Sequence, residues 1–432
     1  MRTLAFQERP PATDRPAARG RWIWVLSGLG TVALLTWPVV VLIGHSGDGG
    51  QGQFATAAPV MTRTITVTQP VTSLSVASYG APIQITAGPV HQVTVTEAID
   101  SPGPGSGPVP VVTDTVSHGR LTLAAPACAG MNSDCSVGFT VTVPPGVAVT
   151  AVSDSGDIAV AGTAGADLDS GGGNVQASRI DGRLTVSSEN GSINVDGATS
   201  PAGANLDSGG GNVEATGVSG PLAVTSEDGD ITVEGVTAAA GTDLDSGGGN
   251  VRASQIIGPL TVTSEDGLIS VADVTAPTGA NLNSGGGEVE ASAITGPLSI
   301  ISEDGAVTLN GLTGNLAADT GGGPITAGGV AAARASVTTE DGSAVLGFST
   351  APGYVLVDTG GGPAQLTFDR VPATVLVDTE DGAATLNVPG GPYAISAASD
   401  GGPQTVAVPS SVAAHNSLTV NTGGGPLQIG PR

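Results

Sequence analysis

The sequence predicts an all-β chain. It is a single-stranded β-helix, or β-solenoid, of coils of about 19 residues, preceded by one transmembrane α-helix. Three observations carry this reading. A phrase of strand grammar recurs from about Val152 to Ile429. Its apolar residues alternate with a period of two. One uncharged run, Trp22–Ile43, stands ahead of it.

The stretch Gly203–Val236 holds the repeat, GANLDSGGGNVEATGVSGPLAVTSEDGDITVEGV. Its halves align, with Leu206-Asp-Ser208-Gly-Gly-Gly211-Asn-Val213 over Val224-Thr-Ser226-Glu-Asp-Gly229-Asp-Ile231. The fixed turn glycines are Gly173, Gly191, Gly211, Gly229, Gly249, Gly267, Gly287 and Gly305, continuing at 323, 342, 362 and 382. Spacings of about 18 to 20, with a richer repeat at 38, signal a solenoid or array. Leu222, Val224, Ile231 and Val233 share one face, and Ala223, Thr225, Thr232 and Glu234 the other. The fixed glycine is expected because its turn position calls for positive φ, which glycine adopts without cost. Ser170, Ser188, Ser208, Ser226, Ser246, Ser264, Ser284 and Ser302 form a hydroxyl row, read as corner chemistry. No activating base repeats with it, as a nucleophile would require.

A unit this short cannot bury a core alone, so each coil must cover the next. At about 4.8 Å per coil, residues 63–430 give about 15 to 19 coils and a rod on the order of 70–90 Å long. A propeller competes, since its blades run to roughly 40 residues. Equivalent half-repeats and an aromatic content of 3 % argue for the thin solenoid instead.

Residues 1–21 are polar and Pro-rich and read as a disordered cytoplasmic tail. Residues 22–44 read as the transmembrane helix: the run is roughly 33 Å long, enough to cross a hydrocarbon core. Arginines 2, 9, 15, 19 and 21 precede it, and the next is Arg63. The positive-inside rule then leaves the N-terminus cytoplasmic and everything after Gly44 extracytoplasmic, a single-pass protein of the cell membrane. A cleaved signal peptide is the competing reading, but its apolar core would be shorter. Residues 45–61 read as a flexible linker.

Residues 62–150 read as an N-terminal β region that caps the solenoid, and 151–432 as the repeat itself. Cys128 and Cys135, the only cysteines, are read as a disulfide, which persists outside the membrane. No companion His or Cys suggests a metal centre there. At the far end Pro431 is expected to blunt the last strand, because proline has no N–H to donate.

The coils, the entry VGFTVTVPPGVAVTAVSDSGDIAV at Val137–Val160 and the terminal GGGPLQIG together resemble the bacterial putative adhesin family. This is a domain of unknown function, similar to the head domain of putative autotransporter adhesins. The resemblance covers roughly residues 65–430. It implies a single-stranded β-helix, often behind a membrane anchor, and brings no catalytic residue with it. The regular 38-residue doublet departs from the family pattern.

Charge is one-sided. After Gly44 stand 8 of the 13 arginines and 36 of the 38 acidic residues, a formal balance of −28. Nucleic acid and anionic lipid are therefore disfavoured partners. Glu227-Asp228, Glu265-Asp266, Glu303-Asp304, Glu340-Asp341 and Glu380-Asp381 fall on corners of alternate coils, with Gly-Gly-Gly between. Carboxylate pairs then stand about 9.6 Å apart, twice the strand spacing, which limits repulsion. Asp169, Asp207, Asp245, Asp319 and Asp358 precede the hydroxyl row on the glycine coils. Two readings of this ridge stand. One is a solvated stripe that keeps the rod soluble. The other is a row of weak calcium sites at Glu227, Asp228, Glu265, Asp266, Glu303 and Asp304, since hard cations take carboxylate oxygens.

No cofactor motif and no catalytic constellation is visible: His45, His91, His118 and His415 are scattered, and Arg179 and Arg183 flank a single strand end. The function expected is a non-enzymatic envelope protein, with an adhesin-like or scaffold role toward an extracellular protein or polysaccharide. The alternative is an envelope-stress accessory that signals through a partner. A carbohydrate-active β-helix enzyme ranks last.

Overall fold

The computed structural model describes residues 60–100, 111–125 and 136–432. The expected tail and transmembrane helix, most of the expected linker and both cysteines lie outside the described residues. Among those described no helix is long and apolar enough to cross a membrane.

The chain is a parallel β-solenoid whose coils lie on one another. Leu222–Ser226 pairs in register with Ala204–Ser208 below and Thr242–Ser246 above. Ile231–Thr237 does the same with Val213–Ser219 and Val251–Ile257. Each coil thus gives one short strand to one sheet and one longer strand to a second sheet of 19 strands. The expected parity holds, with Leu222, Val224, Ile231 and Val233 all 2 % exposed or less. The inward residues form one apolar cluster running from Ile65 to Ile429. Stacking is regular for about 14 turns. The tucked layers at both ends add to these, which brings the total within the 15 to 19 expected.

The turn glycines are required for a different reason from the one expected. None of the eight has positive φ. A Cβ there would lie 1.9–2.4 Å from the carbonyl oxygen of the equivalent glycine in the preceding coil. Close approach of backbone to backbone selects glycine at this corner.

Positive φ occurs elsewhere in the coil. In Ile231–Thr237 alternation slips at Gly235 (φ 68°), so two outward residues precede the buried Val236. Arg179, Gln255, Asp273 and Ala293 hold the same place at φ 51–56°. A side chain in this region costs about 1–2 kcal/mol. Burial of the residue that follows, Ile180, Ile256, Val274 or Ile294, offsets it. After Ala344 these strands shorten to five residues, and Phe348 stacks on Phe368 at 4.9 Å.

Both ends are tucked. The first coil lies between the second and third: Ser73–Ser78 pairs with Arg120–Ala124 and with Ala148–Ser153. Ile83–Ala87 likewise lies between Ser136–Val143 and Ile158–Ala161. Beyond them the antiparallel strands Val93–Asp100 and Val60–Val67 finish one sheet, and Thr113–Ser117 the other. At the far end Ser417–Asn421 sits between Thr374–Asp378 and Ala394–Ala398. Leu427–Pro431 sits between Ala384–Val388 and Gln404–Val406.

Pro431 is therefore not a blunted edge. The terminal strands carry Leu418, Val420, Leu427 and Ile429, each 1 % exposed or less, and take the interior layer. The Ala-rich segment before them, with less to bury, is left outside. Tyr393, fully buried, plugs the core at that end and donates its hydroxyl hydrogen to the Pro389 carbonyl at 2.8 Å.

Candidate functional site

The corner between the two sheets carries every polar ladder named from the sequence. Its hydroxyls are structural. The Gly229 N–H donates to Ser226 Oγ at 3.0 Å, and that hydroxyl donates to the Gly211 carbonyl of the coil below at 3.4 Å. Ser170 and Ser188 repeat the pattern, and Thr339 takes the role further along. All are buried. Ser226→Ala leaves a buried N–H without a partner and is expected to cost about 1–2 kcal/mol. Ser226→Thr, the residue later coils use, is expected to be near neutral. Thermal unfolding of the two variants checks the pair.

The doublet has a steric cause as well as an electrostatic one. A Cβ on Gly209, Gly247, Gly285 or Gly321 would lie 2.4–2.5 Å from the carbonyl oxygen of Glu189, Glu227, Glu265 or Glu303 in the coil below. A coil that follows a Glu corner must begin its own corner with glycine. Backbone bonds lock the two together: Gly248 N–H donates to the Glu227 carbonyl at 2.9 Å. The Asp carboxylates lean over the next glycine corner, with Asp304 Oδ1 3.6 Å from where a Gly322 Cβ would stand.

Glu227, Asp228, Glu265, Asp266, Glu303 and Asp304 are all exposed. They stand as three pairs on alternate coils, so the structure does not bring the six together. Among the described residues no group of three His, Cys, Asp or Glu is placed to hold a metal ion. On the sheet of short strands, Asp207 and Asp245 each neighbour Thr225, and Asp245 neighbours Thr263. That spacing fails at Asp358, which lies in register with Asp378. There Asp378 Oδ1 accepts from Asn421 Nδ2 at 3.2 Å, and Asp358 Oδ1 from the Gly360 N–H at 3.3 Å.

Two features escaped sequence reading. The residue after the turn glycine bridges coils: Asn212 Oδ1 accepts the Asp230 N–H at 3.0 Å, and Asp230 Oδ1 accepts the Asn250 N–H at 2.8 Å. The recurrence of Asn or Asp at that place was the available signal. The second is Glu97, whose side chain is 0 % exposed and whose carboxylate oxygens accept no hydrogen bond. It shares inward parity with Val93, Val95 and Ile99, a mismatch visible in the sequence. Arg63 lies 3.6 Å from it and also bonds Asp114 at 3.3 Å.

Burial pushes the Glu97 carboxyl above its ordinary 4.5, Arg63 pulls it back, and Asp114 adds to the rise. A raised carboxyl favours the folded state fully below the unfolded value, and that contribution is lost as pH rises through the folded value. Wild type is therefore expected to melt higher at acid pH by more than Glu97→Gln does. The difference between the two melting-temperature profiles isolates this group from the general relief of acidic repulsion. Parallel profiles would reject it.

Stacked coils, ladders spent on backbone and a glycine-to-glycine seam define a parallel β-solenoid with a periodic exterior. Its residues 71–256 match the model of the Toastrack DUF4097 family, and the same coils continue past that match. Two solved structures are similar. One is a putative adhesin from Bacteroides fragilis NCTC 9343, at 14% identity and TM-score 0.31, covering 58% of this chain and 96% of that one. The other is a putative cell adhesion protein from Clostridium sporogenes ATCC 15579, at 9% identity and TM-score 0.24, covering 45% and 98%. No curated protein matches the chain.

Proposed function

We propose that the chain is a non-enzymatic scaffold of the cell envelope. It is anchored through residues 22–44 with its N-terminus in the cytoplasm, and its rod reaches outward to a protein or polysaccharide. The observation that carries this reading is periodicity. Exposed polar residues recur coil by coil along the exterior, and the corner hydroxyls are committed to neighbouring backbone. A ladder of this kind offers the same contact many times over, whereas catalysis asks unlike groups to converge on one point.

The test is capture on the full chain, solubilised in detergent and immobilised through its N-terminus. Cell-wall material, matrix proteins and whole cells are passed over it. Specific retention of a wall polymer or surface protein supports the proposal. Retention of nothing, with altered transcription when the gene is deleted, points to the sensory alternative. Loss of the protein from membranes on alkaline extraction would overturn the anchored part.

A further inference from the structure

We propose that the end of the solenoid at Ala394–Ala398 is a self-association surface, pairing end to end with the same strand of a second copy of this chain. Three observations converge there: an open strand edge, an incompletely covered core and an absence of net charge.

The edge comes first. Among the described residues Ala394–Ala398 pairs on one side only, with Ser417–Asn421. Ala394 N–H donates to the Asn416 carbonyl at 2.8 Å, and the Ala398 carbonyl accepts the Thr422 N–H at 3.1 Å. Alternate residues of a parallel strand turn their amides to opposite sides. The amide groups of Ile395 and Ala397 therefore face away from the stack. Pro409 and Ser411 occupy the edge only at Tyr393, through bonds of 3.1 and 2.9 Å. The Ala397 carbonyl accepts one long side-chain bond, from Gln404 Nε2 at 3.4 Å, on an exposed residue that can swing aside.

The core is open at the same place. Ile395 and Ala397 lie over Leu418 and Val420 in register. Leu418 and Val420 are buried, but Ile395 and Ala397 are only partly buried, because no further coil among the described residues lies on them. Val406 (38 % exposed) and Val412 (101 %) add apolar surface beside them.

Charge then selects the partner. From Gly382 to the last residue the only ionised side chains are Asp400 and Arg432, in a chain whose residues after Gly44 carry a formal −28. Arg432 is engaged by Asp369. Two copies side by side would set one acidic ridge against another. Two copies end to end meet through neutral, apolar surface. Antiparallel pairing about Ser396 sets Ile395 of each copy opposite Ala397 of the other and closes both cores at once. The same patch serves both partners, which is the requirement of a two-fold contact. In the anchored reading the pairing would join rods from two facing membranes. That consequence rests on the earlier proposal, whereas the pairing itself does not.

Sedimentation velocity of the full chain in detergent, over a concentration series, tests the contact. A reversible dimer is expected. The fully exposed Val412→Glu should weaken it at least tenfold with unchanged melting temperature; Ala397→Glu should weaken it at least as much, with some loss of stability because Ala397 packs on the core. Under oxidising conditions Ser396→Cys should cross-link to dimers, and Thr232→Cys, on the flank, should not. A monomer at every concentration would overturn the proposal. So would a dimer indifferent to Val412→Glu, or equal cross-linking at both cysteines. A monomeric chain that still captures a wall polymer would leave the scaffold reading in place.

Discussion

Gly229→Ala is expected to destabilise the solenoid by at least about 3 kcal/mol, the severe end of overpacking. The added methyl would lie 2.2 Å from the Gly211 carbonyl oxygen and 2.5 Å from its carbon. Both obstacles are backbone, so no rotamer change relieves the clash. Gly211 has no room to retreat, since it approaches Gly191 in the same way. The coils must part locally, and the corner bonds of Ser226 go with them. Because each coil contacts only its neighbours, the break should appear as a new protease-sensitive corner as well as a lower melting temperature. Gly210→Ala is the control. It lies in the same triplet with ordinary φ and nothing within 4 Å of an added Cβ. It is expected to change stability by less than about 1 kcal/mol, in the favourable direction. Equal effects at the two positions would refute close approach as the reason for glycine.

Tyr393→Ala is expected to cost about 3–5 kcal/mol at the far end of the rod, the usual loss for a buried aromatic. The ring is the largest of the fully buried side chains among the described residues, and removing it opens the core beneath Ala394–Ala398. Tyr393→Phe keeps the ring and loses only the 2.8 Å bond to Pro389, an effect of about 1 kcal/mol. Burial also raises the phenol above its ordinary 10.0. The folded state then keeps a proton that the unfolded chain releases, so this contribution is complete below pH 10 and is lost as pH rises through the folded value. Hydrogen exchange along 389–431 separates the variants. Unchanged protection in Tyr393→Ala would show that the ring is not the plug.

Much of the body of the fold was legible because it depends on short-range parity. Leu222 and Val224 alternate with threonine and alanine, and a buried face follows from that alone. The seam of turn glycines was legible as a position but not as a cause. One sequence cannot distinguish a dihedral requirement from a close approach between coils. The true left-handed position was hidden because Gly235, Arg179, Gln255 and Ala293 all occupy it. The ends were illegible for another reason. Asn421 reaches Asp378 across 43 residues, past an intervening coil, and no local pattern announces such a return. Of the candidate site, the alternation of acidic and glycine corners was visible. Its steric origin lies in contacts between successive coils.

The placement of the first and last coils one layer inside the stack bears on how the molecule responds to force. A solenoid whose final coil lay outermost would unzip from its terminus, one strand edge at a time. Here tension on Leu427–Pro431 draws a strand out from between two neighbours and loads both rows of hydrogen bonds in shear. Ser73–Ser78 meets the same condition at the opposite end. A rod tethered by one end and gripped by the other would resist extension at its two extremities.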